Sequence, residues 1–93
     1  MEVIGITVDT YKGYHYYVCA VTDRSTHKKP YIAVDKNDHR VAWIDIKEGK
    51  VNFYSSTPSE VQNDLSTLEI WFSKNENLSI KLWNQVNPKY GIE

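Results

Sequence analysis

Apolar positions along the first 56 residues come in short alternating or clustered runs separated by turn residues, whereas from Thr57 onward they recur every three or four positions. The first regime predicts strands, the second helices. Val3, Ile4, Ile6 and Val8 lead to "YKGY", where Lys12 and Gly13 suit a tight turn because glycine accepts positive φ at no steric cost. "YHYYVCAVT" reads as a second strand, and the polar "DRSTHKK" ends at Pro30, whose missing N–H fits the start of a third, "YIAVD". Asn37 and Asp38 form a two-residue hairpin loop to "RVAWIDI", and Glu48-Gly49 forms another to "VNFY". The helical part opens on "TPSE", read as a capping box with Thr57 at the N-cap, Pro58 at N1 and Glu60 at N3. Val61, Leu65, Leu68 and Phe72 then mark one apolar stripe. "SKNEN" interrupts it, and Leu78, Leu82, Trp83 and Val86 mark a second stripe ending near Asn87, before Pro88.

The fold class that follows is α+β: one domain over residues 1–93, with strands over about 2–56 and helices over about 58–87. A five-stranded, mostly antiparallel β-meander carries two C-terminal α-helices packed on one face. Two-residue loops fix cross-strand partners, so Asn37-Asp38 pairs Asp35 with Arg40, Val34 with Val41 and Ile32 with Trp43, and Glu48-Gly49 opposes Ile46 to Val51 and Asp45 to Asn52. Tyr31, Ala33, Ala42, Ile44, Ile46, Val51 and Phe53 then make the core face. The opposite face carries Ile32, Val34, Val41, Trp43, Asp45, Asn52 and Tyr54. That mixture is too polar for a second core and too rich in large apolar groups for a plain solvent face, which makes it a candidate binding face.

Composition narrows the function classes. Eleven basic against twelve acidic residues give a net charge of −1, so no global field draws the chain to nucleic acid or anionic lipid. A local patch remains: Arg24, His27, Lys28 and Lys29 form a compact basic loop that, with strand tyrosines and Trp43, gives a nucleic-acid alternative. The lone Cys19 excludes an internal disulfide or a cysteine zinc cluster and fits a reducing compartment. With no secretory signal and no apolar run of about 18 residues, the expected location is cytoplasmic, away from membranes.

Candidate chemistry is sparse. His15, His27 and His39 lack any H-x-H or H-x-x-x-H spacing, although His27 with His39 or Asp35 can meet at one end of the sheet, so a metal-dependent enzyme ranks third. Asp45 beside Asn52 and Trp43, with His27 or His39, is the one acid–base grouping, and a cross-strand hydrogen bond from Asn52 accounts for that carboxylate equally well. No nucleophile motif or phosphate loop occurs. No catalytic residue, metal ligand or cofactor is therefore assigned. Amphipathic rings on the mixed face favour a protein partner, either another chain or a second copy in a homodimer.

"HKKPYIAV", "HRVAWIDI", "KVNFY", a Pro-started helix containing "EIWF" and a last helix containing "KLWNQVNP" occur in an order that resembles a family of short bacterial proteins called domain of unknown function 4160, over roughly residues 27–88. In that family the strand entry reads His-x-Pro-Pro-His-x-His. His27 matches its first histidine and Pro30 its second proline, while Lys29, Tyr31 and Ala33 replace the first proline and the other two histidines. The resemblance implies a small cytoplasmic protein of bacterial or phage origin, one member of a toxin–antitoxin-like pair, and a protein-interaction module of that origin can also serve as an inhibitor. It carries over no catalytic set, since two of the three histidines are replaced.

Overall fold

The structure, a computed structural model, describes residues 5–21 and 29–92. Five strands, β1 (Gly5–Tyr11), β2 (Tyr14–Cys19), β3 (Tyr31–Lys36), β4 (His39–Asp45) and β5 (Lys50–Phe53), form one antiparallel sheet in sequence order. The one-turn helix α1 (Ser59–Gln62) and the long helix α2 (Leu65–Val86) follow, and a 3-10 turn covers Pro88–Tyr90. The fold is α+β. Its C-terminal part is the single-turn α1 followed by α2, a long helix kinked at Asn75 that packs against the sheet.

Two of the turns form as their residues dictate. Lys12 and Gly13 both have positive φ (51° and 85°), and so do Asn37 and Asp38 (53° and 65°), the geometry of the primed turns that match strand twist. The third differs. Ile46–Gly49 is a four-residue loop between paired Asp45 and Lys50, with Gly49 at φ 66° donating its N–H to the Asp45 carbonyl at 2.8 Å. Ile46 therefore leaves the ladder with β5. Its N–H bonds the Pro30 carbonyl at 3.1 Å and its side chain stays buried.

The β3–β4 register departs from a simple hairpin. Asp35 pairs with Arg40, but Val34 pairs with Ala42, Ala33 with Trp43, Ile32 with Ile44 and Tyr31 with Asp45, leaving Val41 as the extra residue of a β-bulge. One inserted residue exchanges the two faces of the partner strand. Ile32 and Val34, expected on the open face, are fully buried beneath the helices, and Tyr31 and Ala33 occupy the other face. The bulge is secured from the helical side: the buried Thr57 hydroxyl donates to the Val41 carbonyl at 2.7 Å and accepts the Tyr54 N–H at 3.1 Å. Thr57 thus does not cap α1, and the expected capping box is absent. Thr57→Val is expected to cost about 1–3 kcal/mol by orphaning a buried carbonyl and an N–H. A urea midpoint unchanged from wild type counts against this account.

A second bulge, at Val8, turns Asp9 toward the helices, where its Oδ2 accepts the Trp71 indole N–H at 2.8 Å. Trp71 also lies flat on Tyr16, with centroids 3.8 Å apart and planes 4° apart. Tyr14 donates to Asp64 at 2.6 Å, so the start of α2 is fastened to the same strand. The expected interruption falls inside "SKNEN": Asn75 leaves helical geometry at φ −123°, so α2 is two helical segments joined across a kink, where the Asn75 side-chain amide bonds the Trp71 carbonyl and the buried Ser79 hydroxyl bonds the Asn75 carbonyl. Leu68, Trp71, Phe72 and Trp83 form the buried stripe, while Leu65 and Leu78 are exposed. At the far end, the buried Asn87 accepts the Val21 N–H at 2.6 Å and donates to the Cys19 carbonyl at 3.0 Å. Among the described residues no helix is long and apolar enough to cross a membrane.

Candidate interaction face

Alternation along each strand places Thr7, His15, Tyr17, Cys19, Ala33, Asp35, Arg40, Trp43 and Asn52 on the face away from α2. No described element covers it. Arg40 is the centre, and its side chain is 34% exposed. Its Nε donates to the Tyr17 hydroxyl at 3.0 Å and lies 3.4 Å from Asp35 Oδ1, and its Nη2 reaches Cys19 Sγ at 3.8 Å. Tyr17 in turn donates to Asp35 at 2.9 Å and stacks on His15, centroids 5.0 Å apart, while His15 Nε2 and Thr7 Oγ1 share a 2.9 Å hydrogen bond. Beside this network Trp43 and Tyr54 pack as a tilted pair, 4.8 Å between centroids.

The electrostatics describe a network built for position. Burial pushes the Tyr17 hydroxyl up to about 12, with the bond from Arg40 opposing and the bond to Asp35 adding. Burial alone would lower Arg40, but hydrogen bonds with Tyr17 and Tyr54 outweigh it and hold the guanidinium charged. Burial likewise raises the Cys19 thiol, with Arg40 opposing, so Cys19 is a packed thiol without nucleophilic activation. Tyr31, raised by burial as well, stands at the start of β3 and tilts against Trp83 at 5.8 Å. It links the open face to the core.

Of the residues expected on this face, Trp43, Asn52 and Tyr54 are there, Asp45 stands at its rim, and Ile32, Val34 and the bulged Val41 are core. Asp45 accepts the Glu48 N–H at 3.0 Å and so serves its loop, while the Asn52 amide bonds the Lys50 carbonyl and does not reach Asp45. Of the basic loop, Lys29 is exposed, and Arg24, His27 and Lys28 lie outside the described residues. His15 is on the open face and His39 at the exposed hairpin end. Among the described residues no three His, Cys, Asp or Glu side chains gather to hold a metal. Sequence reasoning missed Tyr17, Asp35 and Arg40 as a unit. A signal existed in the Asp35–Arg40 pairing across the Asn37-Asp38 turn, which places opposite charges in register. No family model matches the chain, and neither a curated protein nor a solved structure matches it.

Proposed function

We propose that the chain is a protein-interaction module whose open sheet face docks a partner protein. One observation carries this reading: the helices cover one side of the sheet, and the other presents Trp43, Tyr54, Tyr17 and Arg40 together, the residue types that dominate binding energy at interfaces. Arg40 and Tyr17 are already fixed by hydrogen bonds, so docking them loses little side-chain freedom. The only guanidinium among the described residues is balanced by Asp35, which favours a protein surface of mixed polarity over a polyanion. The resemblance to domain of unknown function 4160 supports a cytoplasmic setting in a bacterium or phage and a role as an inhibitor or as one member of a toxin–antitoxin-like pair.

The test is size-exclusion chromatography with light scattering, coupled to mass spectrometry of what co-purifies from the native cell. A stoichiometric protein partner that is lost in Trp43→Ala or Tyr54→Ala, with the denaturation midpoint kept near wild type, is the expected result. Nucleic acid bound with a steep salt dependence, a homodimer disrupted by the same variants, or a partner retained by both would each overturn it.

A further inference from the structure

The tip of the β3–β4 hairpin and the α1 turn do not close on one another. Between them lies a cleft of about 470 Å³, within the span of roughly 300–1,000 Å³ typical of small-molecule sites. Val41, Pro58 and Val61 give it an apolar floor. One wall carries Lys36 and His39, which are direct cross-strand partners and therefore leave the hairpin on the same side. Lys36 Nζ rests 5.1 Å from the Tyr14 ring centroid, and among the described residues the ion pair is that of Arg40 with Asp35, so the ammonium has no carboxylate partner. Ser56 brings a hydroxyl to the lining, and Glu60 is the one carboxylate in it. Arg40 also borders the cleft, but its hydrogen bonds run to Tyr17 and Cys19 on the open face.

We propose that this cleft binds a phosphate monoester with a compact organic body, the phosphate between Lys36 and His39 and the body on the Val41–Pro58–Val61 floor. Lys36, His39 and Ser56 bring an ammonium, an imidazole and a hydroxyl to the lining, and a phosphate monoester, with three acceptor oxygens and up to two negative charges, can use all three where a carboxylate has two oxygens and one charge; the Arg40 Nε is engaged with Tyr17. The cleft meets the open face at Arg40, but the phosphate contacts proposed here are with Lys36 and His39 and do not depend on the reading given for that face.

The experiment is amide NMR on the full chain titrated with adenosine monophosphate, with acetate as the carboxylate control. Saturable shifts are expected at residues 36–41 and 56–61, with a Kd below about 1 mM. Lys36→Gln should weaken binding by about fivefold or more and Glu60→Gln should tighten it by about twofold, the effects of removing an attractive or a repulsive charge near a protein surface, and the solvent-exposed His39→Asn should weaken it by about fivefold or more through loss of the imidazole hydrogen bond. No saturable shift up to about 10 mM, equal affinity in Lys36→Gln and His39→Asn, or acetate binding as tightly as the monophosphate overturns the proposal.

Discussion

Trp71→Ala is expected to lower the stability of the domain by about 3–5 kcal/mol, the range for removing a buried tryptophan. A chain of 93 residues has a total stability of about 5–10 kcal/mol, so the variant should be largely unfolded at moderate urea. Three losses coincide at this side chain. The indole fills the space between α2 and β2, lies flat against Tyr16, and donates to Asp9. Trp71→Phe separates them, since it keeps most of the ring and removes the N–H. It should cost less than the alanine change, about 1–3 kcal/mol, mostly by leaving the half-buried Asp9 carboxylate without its donor. Equal urea midpoints for Trp71→Phe and wild type would show that the Asp9 bond contributes nothing.

The second large effect is alkaline unfolding. Burial raises the hydroxyls of Tyr14, Tyr16 and Tyr17 above the ordinary value of 10.0, Tyr17 to about 12 and the other two further still. A raised folded-state pKa means that the stabilisation is complete below pH 10 and declines as pH climbs through the folded value. Between about pH 10 and 12 the unfolded chain releases protons that the folded chain retains, and each such tyrosine tilts the balance by about 1.4 kcal/mol per pH unit. Tyr16 matters most because its hydroxyl is buried with no hydrogen-bond partner among the described residues, so none of them stabilises its ionised form. Tyrosinate absorbance should rise in two phases, an early one from accessible rings and a late one coincident with loss of secondary structure. A single phase near pH 10 on a domain that stays folded would refute the assignment.

The turns were legible because the residues that tolerate positive φ announce themselves: Gly13 in one, Asn37 and Asp38 in the other. The Val41 bulge was not. No glycine or proline marks it, and its cause lies 16 residues away in the Thr57 hydroxyl that holds the Val41 carbonyl. Reading through it as a regular hairpin put Ile32 and Val34 on the wrong side of the sheet while leaving Trp43, Asn52 and Tyr54 correctly placed. β5 escaped the error for a geometric reason, since the four-residue loop shifts the β4–β5 register by two, and a shift of two keeps every side chain on its face. Trp71 was overlooked because counting from Val61 to Leu65 assumes an unbroken helix, and the chain turns at Asn63 and Asp64 before α2 begins. The interruption at "SKNEN" was legible because asparagine commonly ends helices: Asn75 leaves helical geometry there, and its side chain bonds the Trp71 carbonyl across the resulting kink.

The order in which the chain is laid down gives the Asp9–Trp71 and Cys19–Asn87 bonds one more consequence. They join residues 62 and 68 positions apart, whereas each strand of the sheet pairs with its immediate successor. On a ribosome, all five strands emerge before the helix that shields them, and contacts of such long range form slowly. A nascent chain halted before α2 displays Tyr16, Ile32, Val34 and Ile44 on a bare apolar surface, which is what chaperones recognise and what aggregation feeds on. Protection of this apolar face therefore waits on the synthesis of α2.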